Sequence, residues 1–173
     1  SELAAGLEFG LMNYNGPFAI RYPRGKACTR FREFNEPVLY GKSEVLYMEK
    51  DIALLAVGSM VETASDVRDK LKEKGYNVSL INARFVKPVD TTVIHRCADN
   101  HQLLVTLEEN VYTGGFGERV CHYVEEACLN IKVLNISLPD DYVEHGNVEI
   151  LKAEEGIDAE SVITRVESFY NNI

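Results

Sequence analysis

Residues 101–128, HQLLVTLEENVYTGGFGERVCHYVEEAC, constrain the fold more than any other stretch. Leu103 to Leu107 is a continuous apolar run, the mark of a strand buried on both faces. Two carboxylates, Glu108 and Glu109, stand at its end. A turn at Gly114-Gly115-Phe116-Gly117 follows, then Phe116, Val120, Tyr123, Val124 and Ala127 recur at helical spacing. Strand, glycine-rich turn and helix in that order make half of a βαβ unit.

The same rhythm recurs along the chain. Ile52–Val57 predicts a central strand, and Gly58-Ser59 opens a helix to about Lys74, with Val61, Ala64, Val67 and Leu71 inward. Ser59 with Glu62 reads as a capping box, and Gly75 ends the helix. Val78–Ile81 is the next strand, followed by a helix over 91–99 capped by Asp90. Val133–Ile136 is the last parallel strand, and two helices near 147–155 and 158–171 close the chain, with Asp158 as a cap. The segment 42–49 alternates and runs into Glu49-Lys50-Asp51, which predicts a tight hairpin and an antiparallel edge strand. Right-handed crossovers then give a three-layer α/β sandwich on a mostly parallel five-stranded sheet. Ligand or partner contacts gather at the carboxyl ends of such strands. Here those ends are Gly58-Ser59, Asn82–Pro88 and Glu108–Gly117.

Ahead of this unit, Leu3, Leu7, Leu11 and Met12 predict a helix over 2–14, and Phe18–Tyr22 a short strand. Residues 1–25 are too few to make a domain. They read as the end of a preceding domain, 26–40 as a linker marked by Asn35-Glu36-Pro37, and 41–173 as the main domain. The first residue is Ser1, which fits a piece of a longer protein.

With 173 residues, 46% of them hydrophobic and 26% charged, the chain can bury a real core. Its net charge of −9 disfavours nucleic acid and anionic membranes as partners of the whole surface. No apolar run is long enough to span a bilayer. The four cysteines, Cys28, Cys97, Cys121 and Cys128, form no Cys-x-x-Cys pair and no zinc-type spacing. They read as reduced thiols, which favours the cytoplasm.

Several groups carry two readings each. The Gly114–Gly117 turn at a helix start can cradle a phosphate or serve as a tight turn with close helix–strand packing. It lacks the Lys-Ser/Thr of a Walker loop, and two carboxylates stand upstream. Glu108-Glu109 can be an acid/base pair, but neighbours on a strand point apart, which suits support of an adjoining domain. Asp140-Asp141 reads as a solvated turn. His95, His101, His122 and His145 sit at no triad spacing and read as structural or surface residues. Arg21 and Arg24, around Tyr22-Pro23 and before Gly25, suit either a phosphate or carboxylate ligand or a surface ion pair.

Taken together, four segments resemble one family. They are Gly16-Pro17 through Arg21-Tyr22-Pro23-Arg24-Gly25, Ala83–Asp90, Glu108-Glu109-Asn110 with Gly114–Gly117, and Leu138-Pro139-Asp140 through Glu144-His145-Gly146. In this order they look like the carboxy-terminal part of the 1-deoxy-D-xylulose-5-phosphate synthase family. Those enzymes are transketolase-like and depend on thiamine diphosphate. The resemblance implies a homodimer with three α/β domains per subunit, holding thiamine diphosphate and Mg²⁺ in the first two. It implies decarboxylation of pyruvate and its condensation with glyceraldehyde 3-phosphate. The product feeds isoprenoid, thiamine and pyridoxal synthesis. The family's substrate-phosphate arginine falls on Arg24. Its catalytic, cofactor and metal residues have no counterpart in this chain, which by itself is expected to be inactive. Glu118-Arg119 departs from the small residues common after the glycine turn. The equivalent domain of a transketolase or of a 2-oxoacid dehydrogenase β subunit is the near alternative. A non-catalytic interaction module is the more distant one.

Overall fold

The computed structural model describes residues 2–23 and 28–173. Arg24, the expected phosphate contact, lies outside the described residues.

Five strands form one sheet: β1 (Glu44–Tyr47), β2 (Asp51–Ala56), β3 (Val78–Asn82), β4 (His101–Val111) and β5 (Lys132–Leu138). Their order is β1-β3-β2-β4-β5. β2 is parallel to both neighbours, with Leu54 opposite Leu80 and Val105, and β5 continues the parallel set beside β4. β1 runs antiparallel along β3. The expected α/β sandwich with one antiparallel edge strand is therefore what forms.

The helices are α1 (Glu2–Glu8), α2 (Met60–Glu73), α3 (Thr91–Asn100), α4 (Phe116–Glu126), α5 (Val148–Glu154) and α6 (Ala159–Tyr170). α2 and α6 cover one face of the sheet, where Ala64, Val67 and Val166 meet Ile52, Leu54 and Leu80. α3 and α4 cover the other, where Ile94, Cys97 and Val120 meet Ala53, Leu55 and Leu104. Successive β2 side chains feed opposite layers, so a continuous apolar strand is the only pattern that satisfies both. Each such side chain contributes roughly 1.5–3 kcal/mol on burial.

Three local expectations change. The hairpin does not form, because β3 lies between β1 and β2. All five β3 residues are buried, whereas β1 alternates buried with half-buried. The half-polar strand therefore takes the edge and shields the apolar one. Phe18–Tyr22 is not in a strand. The helix predicted over 2–14 is α-helical only to Glu8 and passes into a π-helical turn, Phe9–Asn13. By contrast Asp90 caps α3 as expected, accepting from Thr92 N and Val93 N, and Asp158 accepts from Glu160 N at α6.

Residues 28–40 are irregular but packed. Phe34 meets the Tyr47 ring edge-on at 5.4 Å, and Arg30 pairs with Asp66 and Asp69 of α2.

Candidate functional site at the carboxyl edge of the sheet

β4 is longer than its apolar run and carries Glu108 and Glu109 past the helical layers to the carboxyl edge. The strand pleat sends the two side chains in opposite directions.

Glu108 turns inward and is 4% exposed. Its carboxylate accepts from Phe116 N at 2.9 Å and Gly117 N at 2.7 Å, two otherwise orphaned donors at the start of α4. A negative charge there also complements the helix dipole. The turn is packed around this contact. A Cβ on Gly115 would lie 2.5 Å from Val111 O, and one on Gly117 would lie 2.7 Å from Thr106 Oγ1. Gly114 N donates to Glu118, so the acidic residue that sets this turn apart closes it. Of the two readings of the glycine turn, close packing is the one built: its amides are engaged by the chain's own carboxylates.

Glu109 turns the other way, toward α2 and α5. Ser59 Oγ donates to it at 2.6 Å, and Lys152 Nζ lies at 2.9 Å with only 14% of its side chain exposed. Arg21 Nη2 donates to the Glu109 main-chain oxygen at 3.0 Å. Burial alone would raise the Glu109 carboxyl. The hydrogen bonds from Ser59 and Lys152, with the charges of Lys152 and Arg21, outweigh it and hold the group below the usual carboxylate value. The Ser59–Glu62 capping box is accordingly not made: Ser59 has helical dihedrals and no side-chain cap bond. The Glu109 carboxylate takes the Ser59 hydroxyl instead.

At the end of β3, Arg84 adopts φ +55°. Its guanidinium is paired with Glu2 at 2.9 Å and with Glu44 at 2.7 Å, with 7% and 5% of the Arg84 and Glu44 side chains exposed. Asn82 Nδ2 also donates to Glu2 at 2.7 Å. Phe9 is buried against the rings of Tyr14, Phe18 and Phe85. Glu2, Phe9 and Arg21 thus fasten residues 2–23 across the carboxyl edge. The stripe Leu3, Leu7, Leu11 and Met12 remains exposed, Leu11 to 80%.

The histidines do not converge. His101 is buried at the opposite, amino edge, where Nδ1 donates to Cys97 O at 3.0 Å and Ser79 Oγ donates to Nε2 at 2.7 Å. Burial lowers its pKa. Its third partner is a carbonyl, not a carboxylate, so this is no triad. His95 meets Tyr123 on the surface, and His122 and His145 are exposed or nearly so. All four cysteines are free, and burial pushes the Cys97 thiol up to about 12. Asp141 accepts from Tyr142 N in an exposed turn.

The described residues do not fit a metal-bound diphosphate. No group of three or more His, Cys, Asp or Glu among them is disposed to hold a metal ion, and Glu108 fills the α4 N-terminus. No helix among them is long and apolar enough to cross a membrane.

The residues that sequence reasoning missed are Glu44, Arg84 and Lys152. Only Glu44 carried a signal, an acidic residue in an otherwise apolar strand, where an unpaired charge is costly.

The model of the family described as "Transketolase, C-terminal domain" matches residues 41–162. The 1-deoxy-D-xylulose-5-phosphate synthase of Lachnoclostridium phytofermentans is 44% identical over 156 residues, 90% of this chain and 25% of that protein. Proteins of the same name from Clostridium tetani and Dictyoglomus thermophilum are 39% and 36% identical, over 92% and 96% of this chain and 26% and 27% of theirs. The chain therefore spans about a quarter of the length of these curated relatives. Among solved structures, a split-gene transketolase, an inactive β4 tetramer, superimposes with a TM-score of 0.72 at 25% identity, over 76% of this chain and 43% of its own. The match runs from just before β1 into the first turn of α6 and takes in the whole sheet, so the chain belongs to the transketolase C-terminal domain family.

Proposed function

We propose that this chain is the carboxy-terminal part of a 1-deoxy-D-xylulose-5-phosphate synthase. The whole enzyme would join pyruvate to glyceraldehyde 3-phosphate with loss of CO₂, giving 1-deoxy-D-xylulose 5-phosphate for isoprenoid, thiamine and pyridoxal synthesis. The observation that carries this reading is identity of 36–44% along 90–96% of the chain to proteins of that name.

In this reading residues 1–25 end the preceding domain, 26–40 link, and 41–173 form the supporting third domain. The fastening of residues 2–23 by Glu2, Phe9 and Arg21 supports a docking role at the carboxyl edge. Thiamine diphosphate and Mg²⁺ belong, in this reading, to the remainder of a cytoplasmic homodimer. Arg24 binds the phosphate of the aldehyde, and the chain alone is inactive.

Turnover of pyruvate with glyceraldehyde 3-phosphate by the enzyme that contains this chain tests the reading. Release of CO₂ with formation of the five-carbon ketose phosphate is expected. Activity only with lipoamide, or only as a ketol transferase between sugars, would overturn it. Within that enzyme, Arg24→Ala is expected to raise KM for the phosphorylated aldehyde far more than for pyruvate. A charge-assisted contact of roughly 2–3 kcal/mol predicts a rise of about 30- to 150-fold.

A further inference from the structure

The sheet ends on β5, which has β4 on one side and, among the described residues, no strand on the other. A strand so placed leaves a row of N–H and C=O groups without ladder partners. Arg165 of α6 reaches β5, and its Nη2 donates to Asn135 O at 3.0 Å. It does for this carbonyl what the N–H of a sixth strand would do.

An open groove of about 660 Å³ runs between β5 and α6. Leu134 and Phe169 give it an apolar floor that continues into the core. Lys132, Arg165 and Ser168 are exposed along it. Among the described residues no acidic side chain lines it, although the chain carries 27 acidic residues against 18 Lys and Arg. α6 accounts for this imbalance. Its Glu160 and Glu167 turn to α2, where Lys70 and Lys74 meet them at 3.2 and 2.6 Å. Arg165, Ser168 and Phe169 are left for the β5 side.

We propose that the β5 edge and this groove bind an extended acidic segment of a partner protein, which adds a sixth strand to the sheet. Main-chain bonds to β5 give affinity, and the side chains beside them give selectivity. Lys132 and Leu134 are two positions apart and share a face. The matching segment therefore carries an acid and an aliphatic residue two positions apart. A second copy of this chain fits poorly, because a two-fold pairing would set the two cationic rims against each other. The competing role for Lys132 and Arg165 is to guard the edge against any strand. The two roles differ when the charges are removed. Loss of a guard opens the edge, whereas loss of a ligand ends binding.

The test is fluorescence anisotropy with the intact protein and a labelled octapeptide. Threonine fills its odd positions, and glutamate alternates with valine at the even ones. This peptide is expected to bind about tenfold tighter than its counterpart with lysine for glutamate. Lys132→Ala with Arg165→Ala should weaken it about tenfold, and both side chains are exposed, so the variant folds. N-methylation of the peptide backbone should abolish binding with the protein unchanged. Hydrogen exchange should show new protection at residues 132–138. Failure of the glutamate peptide to bind, tighter binding by the double variant, undiminished binding after N-methylation, or protection elsewhere would each overturn the proposal. Self-association seen by light scattering and lost in Arg165→Glu would assign the edge to a second copy and overturn it too.

Discussion

The two ends of the sheet solve the same problem differently. At the amino edge, polar groups find their partners within the domain itself, even where these lie far along the chain, as Glu167 does for Lys74. Ser79 serves Glu49 N and His101, and Arg68 serves Glu49 and Val78 O while lying 3.9 Å over the Tyr47 ring. At the carboxyl edge, partners come also from the amino-terminal segment: Glu2 for Arg84 and Arg21 for Glu109, with Lys152 of α5 completing the Glu109 set. That edge also bears most of the exposed large apolar side chains, including the α1 stripe, Tyr112, Tyr142, Val148 and Ile150. A closed edge stabilises the fold. An edge that gathers distant charges and leaves apolar surface uncovered is suited to bind something else.

The contrast can be broken most severely within β4 itself. Glu108→Ala removes a buried carboxylate from two helix donors and is expected to cost about 2–3 kcal/mol in chemical denaturation. Glu109→Ala, next to it but half-exposed, should cost less than half as much. Equal costs would mean that the two carboxylates play the same structural part. A smaller effect is expected at the amino edge. Burial keeps His101 below its ordinary value despite the opposing pull of the Cys97 carbonyl and Asp51, with Arg96 adding to the depression. The unfolded chain then binds more protons than the folded one below about pH 6.5, so stability falls as pH drops through that value. Melting curves between pH 7.5 and 5 should show this slope, and His101→Gln should flatten it. The smallest effect concerns the exposed stripe. Leu11→Ser and Met12→Lys are expected to change the stability of this chain by less than about 0.5 kcal/mol. A larger loss would mean that the stripe already packs within it.

Much of this was legible in the residues because it is local. Apolar runs at 52–57, 78–81, 103–107 and 133–136 named the four parallel strands, and Asp90, Asp158 and Gly75 marked helix ends through bonds or backbone freedom set within a few positions. Failures arose where a distant group outcompeted a near one. Ser59 had Glu62 at box spacing, yet Glu109, fifty residues on, takes its hydroxyl. Glu49-Lys50-Asp51 looked like a hairpin, yet burying β3 on both sides mattered more than closing a short loop. Phe18–Tyr22 has the composition of a strand, yet strand formation needs a neighbouring edge, and none of the five strands pairs with it. The ties to Glu109 and Arg84 join segments 40 to 88 positions apart, beyond any spacing rule.

Glu108 carries one more consequence. Doubly wound folds usually keep a vacant cationic socket where a glycine turn enters a helix, and many lineages have fitted nucleotides into it. Here the socket carries a built-in plug, covalently tethered and of the right charge. Shortening that side chain would uncork it, so Glu108→Ala is expected to bind free inorganic phosphate more tightly than the parent chain does.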